Sequence, residues 1–163
     1  MKEIEFKDLT WQRIRLALSL ALMKGEPLVL KNAGLFIEKN FDYLPVYETI
    51  KKFMFETGCG MLADSGDDLQ FMPEGLRYGE YHIDTGKFTN LSEIEILLLK
   101  SLLRQEFRSV INYSGVTHSH ISYPTVFLKE SLFSLLEKMG FYASMNLKRF
   151  GFYGSGGGSA ESR

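Results

Sequence analysis

Residues 55–73, FETGCGMLADSGDDLQFMP, and residues 136–154, LEKMGFYASMNLKRFGFYG, occupy matching places in the two halves of the chain. Each stretch ends a helical pattern at a glycine, Gly58 in the first and Gly140 in the second, and then continues toward a hairpin. A pattern that recurs at a fixed spacing indicates an internal repeat. The two stretches therefore predict that the chain contains two copies of one folding unit.

The segments before each stretch follow the same order. In the first half, residues 3–6 alternate like a short strand, residues 11–24 have helical spacing, residues 28–31 form a second strand, and helical spacing resumes at Tyr43. In the second half, the strand GEYHIDTG, the helix NLSEIEILLLKSLL, the strand FRSVINY and the helix SYPTVFLKESLFSLLEKMG repeat that order. The sequence thus predicts four elements before each hairpin.

This order predicts an α+β fold of two tandem β-α-β-α-β-β repeats, residues 1–75 and 76–163. Each repeat is expected to be a two-layer sandwich with two helices on one face of a small mixed sheet. Ser92 and Glu95 have the spacing of a capping box for the helix they precede. The last strand should begin near Ser159, so it is either very short or the chain is a piece of a longer protein.

Composition limits the function. Of the 163 residues, 45% are hydrophobic, and the net charge of −1 gives no overall attraction to nucleic acid, although a local basic patch stays open. The single cysteine, Cys59, excludes an internal disulfide and a cysteine zinc site. The N-terminus lacks a signal-peptide core and no apolar run reaches membrane length. We expect a soluble, cytoplasmic protein without a membrane partner.

Several residues have both an ordinary structural interpretation and a chemical one. On a strand, His118 and His120 would share a face, as metal ligands do, but no third ligand is near in sequence, which favours a loop or surface role. Cys59 is expected to be a buried, inert thiol. The acidic stretch 64–68 is expected to be a solvated turn. By composition, GSGGGS (154–159) suits a linker or a hairpin turn, and it lacks the Lys-Ser/Thr of a P-loop.

The stretch 142–153 mixes basic and aromatic side chains. The basic residues are Lys148 and Arg149, and the aromatic ones include Tyr142, Phe150, Phe152 and Tyr153. This mixture suits stacked bases and phosphates. It also suits an ordinary edge strand, and the residues alone slightly favour that interpretation.

GFYGSGGG (151–158) resembles the GFYPxGGG signature that ends the first half of RNA 3'-terminal phosphate cyclases. In the same order along the chain, QRIRLALSLALMKGEPLVL, FMPEGLRYGEYHIDTG and SGVTHSHISYPTVFLKESLFSLLEKMG resemble further family stretches. The resemblance spans residues 6 to about 160. It implies a fold of β-α-β-α-β-β repeats, and it implies that the tail glycines form the turn between the last two strands.

The resemblance also implies an ATP-dependent reaction. A histidine becomes adenylated, AMP moves to the RNA 3'-phosphate, and the 2'-OH closes a cyclic phosphodiester. That histidine lies in the C-terminal half of family members, to which no part of this chain corresponds, so no catalytic residue is assigned and neither His118 nor His120 inherits the role. ATP and a divalent cation are the expected cofactors if the activity is retained with a C-terminal half; otherwise none is expected.

Three residues match the family's site: Asp8 stands where the family has Glu, and Gln12 and Arg15 match its Gln and Arg. The resemblance implies that Asp8 could hold a metal or a ribose and that Arg15 could pair a phosphate, the alternative for Arg15 being a surface ion pair. Other features are missing. Trp11 in LTW replaces glycines and would block phosphate approach, GGTD has become SGVTHSH, and the basic Pro-Gly loop has become NAGLFIEKNFDYLP.

The resemblance therefore indicates a divergent RNA 3'-terminal phosphate cyclase-like protein that binds RNA or nucleotide and is not catalytic as this chain alone. The residues expected to contact phosphate or RNA are Lys148, Arg149, Gly156, Gly157 and Gly158. The alternatives are a non-catalytic RNA-processing or ribosome-assembly module, or a small self-associating domain. The expected partner is an RNA 3' end or structured RNA, with a second copy or a C-terminal half as further partners.

Overall fold

In the computed structural model, which describes residues 1–163, eight strands form two four-stranded mixed sheets of the same order. The first sheet contains β1 (Lys2–Ile4), β2 (Leu28–Leu30), β3 (Gly60–Ser65) and β4 (Asp68–Pro73), ordered β1-β2-β4-β3. The second contains β5 (Glu80–Asp84), β6 (Val110–Gly115), β7 (Met145–Arg149) and β8 (Gly158–Ser162), ordered β5-β6-β8-β7. In each sheet the first two strands are parallel and the other neighbours antiparallel. The predicted α+β fold of two tandem repeats is confirmed.

The helices fall between these strands in the predicted order. They are α1 (Trp11–Lys24), α2 (Ala33–Lys39), α3 (Leu44–Thr57), α4 (Leu91–Leu102), α5 (Thr125–Phe127), a π-helical piece (Leu128–Phe133) and α6 (Ser134–Lys138). A 3-10 turn, Phe41–Tyr43, precedes α3. We call the continuous run 125–138 the last helical segment. None of these helices has the length and apolar character that crossing a membrane requires.

The contacts divide the chain into two units, Met1–Arg77 with Leu97–Arg104, and Tyr78–Ile96 with Gln105–Arg163. In the first unit, α1 and α2 contact β4, and α3 contacts β3. The core side chains that join these layers include Ile14, Leu18, Leu30, Ile50, Met54 and Phe71, each almost fully buried. The repeat boundary between residues 75 and 76 stays a prediction.

Helix α2 departs from the expected two helices of the first repeat. The Cβ of any larger residue at Gly34 would lie 3.1 Å from the backbone oxygen of Asp67 and 3.2 Å from that of Asp68. Leu35 also donates its N–H to the Asp67 carbonyl, 3.1 Å away. Close packing on the β3–β4 hairpin therefore orders this short helix, and the local spacing of apolar residues does not reveal it.

The predicted capping box at the start of α4 is wrong. The side-chain oxygen of Asn90 accepts the Ser92 N–H at 3.1 Å, while the buried Ser92 hydroxyl has no hydrogen-bond partner. Glu95 does not reach back to the helix start, because its carboxylate accepts the hydroxyls of Tyr113 at 2.6 Å and Ser162 at 2.9 Å. Burial raises the pKa of Glu95 above its ordinary value. This buried carboxyl links α4 to β6 and β8.

Candidate nucleic-acid interface

The start of α1, where the resemblance places a glycine-rich approach to phosphate, is filled by aromatic rings. Trp11 is 1% exposed, and its ring stacks on Tyr43 with centroids 5.4 Å apart and planes at 10°. Tyr43 in turn stacks on Phe36 at 6.1 Å. The side chain of Thr10 accepts the Arg13 N–H and caps the helix. The side chains at this helix start therefore form no cradle for a nucleotide phosphate.

The three family-matched residues are not brought together in one exposed site. Asp8 and Gln12 are exposed, whereas Arg15 is buried on the inner side of α1. Arg13, not Arg15, reaches the Asp8 segment and donates to its backbone carbonyl. The burial of Arg15 means that its side chain does not lie on the exposed surface of the helix. Whether Asp8, Gln12 or Arg15 contacts a nucleotide stays a prediction.

The glycine-rich stretch connects β7 to β8, as the resemblance implied. The connection is fastened by Thr117, which is fully buried and whose hydroxyl oxygen lies 3.0 Å from the Gly151 nitrogen and 3.1 Å from its carbonyl oxygen. The same hydroxyl lies 2.8 Å from Nδ1 of His118. The backbone N–H groups of Thr117 and His118 also donate to the Gly151 carbonyl. Gly151 is therefore the residue through which the connection is hydrogen-bonded to Thr117 and His118. We call residues 150–158 the glycine loop.

Close backbone packing explains two of the loop's glycines. A Cβ at Gly151 would lie 2.2 Å from the Gly115 oxygen, and one at Gly158 would lie 2.7 Å from the Gly151 nitrogen. Neither neighbour is a side chain that can move aside. Gly158 is buried and is paired with Gly115 in the sheet, so its backbone already takes part in strand pairing.

The other residues expected to contact phosphate differ in whether their donor groups are already paired within the fold. Gly156 donates its N–H to the Phe152 carbonyl at 2.8 Å, while Gly157 is exposed with φ +78°. Lys148 sits in a β-bulge of β7, and its ammonium pairs with Glu161 at 2.8 Å. Arg149 is exposed and makes no ion pair. Gly157 and Arg149 are thus the most available of the five, and phosphate contact by any of them stays a prediction.

Aromatic side chains surround the glycine loop. The His118 ring lies 5.1 Å from the Phe150 ring and 5.8 Å from the Phe152 ring. The Tyr153 ring lies 5.0 Å from the His120 ring and 5.4 Å from the Phe88 ring. We call these six residues the aromatic surface. Phe150 and Phe152 are 57% and 58% exposed, so the aromatic surface presents two phenyl rings to solvent.

Phe88 is a member of this surface that sequence reasoning missed. It follows β5 in TGKF, and the preceding Lys87 accepts the Gly154 N–H on its carbonyl at 2.7 Å. The exposed Lys87 side chain also lies against the glycine loop, because a Cβ at Gly156 would be 3.5 Å from Lys87 Cγ. The adjacency of a lysine and an aromatic residue was the only signal in the sequence, and nothing local linked it to the tail.

The remaining candidates fill structural roles. No three His, Cys, Asp or Glu side chains of the chain lie close enough to hold a metal ion. His120 is exposed and His118 half-buried, in agreement with the loop or surface interpretation, and burial lowers the pKa of His118. Burial raises the pKa of the Cys59 thiol, in agreement with an inert cysteine.

Residues 64–67 of the acidic stretch are exposed, in agreement with a solvated turn, but two of its carboxylates, at the ends of the flanking strands, are paired. Asp64 accepts the Tyr47 hydroxyl at 2.7 Å and pairs with Lys51 at 2.9 Å. Asp68 pairs with Lys31 at 3.0 Å. These carboxylates hold the hairpin to its neighbours instead of standing free in solvent.

The fold and the loop define a class of protein: tandem β-α-β-α-β-β repeats in which the last hairpin of the second repeat carries a glycine-rich connection. The family model for RNA 3'-terminal phosphate cyclase matches residues 48–163. The chain belongs to the RNA 3'-terminal phosphate cyclase family.

Several individual relatives match about nine-tenths of this chain. The chain is similar to the RNA 3'-terminal phosphate cyclase of Ectopseudomonas mendocina (strain ymp), with 29% identity over 155 residues that cover 91% of this chain and 44% of the relative. The corresponding protein of Koribacter versatilis (strain Ellin345) is 26% identical, covering 90% of this chain and 42% of the relative. That of Methanosarcina mazei is 28% identical, with 91% and 43% covered. The chain spans less than half the length of these relatives.

Proposed function

We propose that this chain binds the 3' end of single-stranded RNA at the aromatic surface and does not carry out cyclisation by itself. The observation that carries the proposal is the exposure of Phe150 and Phe152 on either side of His118, beside a glycine loop with an exposed backbone position at Gly157. The relatives are RNA 3'-terminal phosphate cyclases, which supports RNA as the ligand class.

The chemistry of the surface supports binding to single strands more than to duplexes. Unpaired bases expose their faces and stack on aromatic rings whatever their sequence. A cation next to the rings adds attraction for the phosphate backbone. Lys87, which lies against Gly156, and the exposed Arg149, which directly precedes Phe150 in sequence, are the cations available for this, whereas Lys148 is paired with Glu161.

The proposed loss of ATP chemistry rests on the start of α1. The family reaction needs a nucleotide and a cation, but here Trp11 and Tyr43 occupy the helix start and no group of potential metal ligands is assembled. The residues present do not fit ATP and its metal. We therefore propose that the chain works as a non-catalytic RNA-binding module and that no cofactor is bound.

Fluorescence anisotropy with a single-stranded RNA ending in a 3'-phosphate tests the binding proposal. Replacing Phe150 and Phe152 with alanine should weaken binding about tenfold or more, since each stacked base contributes about 1–3 kcal/mol. The matched control is Phe55→Ala, because Phe55 is 77% exposed on α3 and lies outside the aromatic surface. Equal losses in both variants, or no binding by the unmodified chain, would refute the proposal.

Salt dependence separates the cations. Arg149→Ala should reduce the slope of the logarithm of affinity against the logarithm of salt by about 0.7. Lys148→Ala should change it less, because its ammonium already pairs with Glu161. For the catalytic part, incubation with ATP labelled at the α-phosphate should leave no covalent label on the chain. Covalent labelling would overturn the non-catalytic proposal and leave the binding proposal intact.

A further inference from the structure

The last helical segment and the residues that flank it carry a row of exposed apolar side chains. Tyr123, Phe127, Leu135 and Met139 are 51%, 47%, 55% and 62% exposed. With the small Ser131 between them, these residues recur at every fourth position, and we call them the helix stripe. Contiguous exposed apolar patches on a small protein mark interaction sites more often than chance.

The π-helical piece keeps the helix stripe on one face. Four residues are slightly more than one turn of an α-helix, which has about 3.6 residues per turn, so a four-residue spacing drifts around a regular helix. Leu128–Phe133 form a π-helix, whose i to i+5 hydrogen bonds give wider turns of more than four residues. A four-residue spacing there rotates in the opposite direction, which offsets the drift. The Tyr123 and Phe127 rings stack at 5.2 Å, and the Met139 N–H donates to the Leu135 carbonyl at 3.1 Å, so both ends of the stripe are ordered.

From Phe127 to Met139 the helix stripe is self-complementary about residue 133, because Phe127 and Met139 are both large and the small Ser131 matches the large Leu135. Phe127 and Met139 lie at equal distances in sequence from the midpoint between Ser131 and Leu135. One position before Ser131 and Met139, on the solvent side, lie Glu130 and Lys138, with Ser134 midway between them. A surface whose two halves are complementary in this way can pack against the same surface of a second copy.

We propose that the helix stripe is a homodimer interface in which two last helical segments pack antiparallel about a two-fold axis beside Ser134. Phe127 of one copy then lies against Met139 of the other, and Leu135 covers the space left by Ser131. Glu130 of each copy faces Lys138 of its partner. Within one chain Glu130 pairs only with the neighbouring Lys129, at 3.4 Å and with both side chains about half exposed, so it is free to exchange partners.

Sedimentation velocity over a range of protein concentrations tests the interface. Leu135→Glu should raise the dimer dissociation constant about thirtyfold or more, because a charge would be buried without a partner. Glu130→Lys and Lys138→Glu should each raise it about fivefold by opposing like charges, and the double change E130K/K138E should restore it to within about twofold. Phe55→Glu, on α3, is the control for the loss of an exposed apolar side chain.

A monomer at all concentrations up to on the order of 100 µM would overturn the proposal. So would a dimer that Phe55→Glu weakens as much as Leu135→Glu, or one whose single charge changes are not rescued by the double change. If Leu135→Glu fails to fold, a cysteine at position 134 keeps the test open. Ser134→Cys should form an intermolecular disulfide under mild oxidation much faster than Lys52→Cys on α3, and equal rates would overturn the arrangement.

Discussion

Removing the hydroxyl of Thr117 should loosen the glycine loop by an amount that can be worked out from its contacts. Valine has nearly the same shape but no hydroxyl, so Thr117→Val leaves the buried Gly151 N–H without its acceptor at 3.0 Å. The Gly151 carbonyl still receives the N–H groups of Thr117 and His118, at 2.9 and 3.0 Å, and is not left unpaired. The half-buried His118 ring can turn to water. The loss is therefore that of one orphaned buried donor, about 1–3 kcal/mol.

Native-state hydrogen exchange of the Gly151 amide measures this loss directly. Protection of this amide should fall about tenfold to a hundredfold in Thr117→Val. Thr117→Ser keeps the hydroxyl and should retain most of the protection. RNA affinity should fall in the valine variant as well, because Phe150 and Phe152 lie on either side of the loosened residue. Equal Gly151 protection in the valine variant and the unmodified chain would show that Thr117 does not fasten the loop.

Three further changes probe other parts of the fold. Gly151→Ala should lower the free energy of unfolding in urea by about 3 kcal/mol or more, because the new Cβ would lie 2.2 Å from a backbone atom. Gly154→Ala should lower it by only about 1 kcal/mol, because Gly154 has open space around it and only its φ of +83° is unfavourable for alanine. Similar losses in the two variants would contradict the packing argument. Trp11→Ala should lower the free energy of unfolding by about 3–5 kcal/mol, and a loss under about 1 kcal/mol would show that the ring is not a core element. Because the pKa of Glu95 is raised in the folded state, its ionisation opposes folding. The stability that the protonated carboxyl contributes is fully present below its unfolded pKa of about 4 and is lost as the pH rises through the folded pKa. Glu95→Gln should remove this contribution to the pH dependence of unfolding, and an unchanged pH dependence would refute it.

Local patterns predicted the repeats because the features that define them are local. Helical spacing and the stop at Gly58, which adopts φ +67°, lie within one segment. The same holds for the strand that contains His82 and for the β3–β4 hairpin. Parallel pairing of the first two strands then follows from the intervening helix.

Features that depend on distant partners were missed. Glu95 has capping-box spacing, yet its actual partners, Tyr113 and Ser162, are 18 and 67 residues away. The contact between Phe88 and Tyr153 joins two stretches whose proximity only the β5–β6–β8 order creates. Helix α2 is ordered by the packing of Gly34 on a hairpin more than thirty residues later. Sequence spacing carries no record of such contacts.

The tail glycines show why a family signature and a function need separate arguments. Gly151 and Gly158 are required by backbone contacts within the second unit, so their presence follows from the fold whether or not the loop binds phosphate. The fold depends less on Phe150 and Phe152, since more than half of each residue is exposed, whereas a core ring such as Phe71 is fully buried. We therefore expect RNA binding to depend on Phe150 and Phe152, and the stability of the fold to depend on Gly151 and Gly158. Variants that lose Phe150 and Phe152 but keep every glycine should fold with nearly unchanged stability and bind RNA poorly, and this dissociation is what a purely structural role for the loop does not produce.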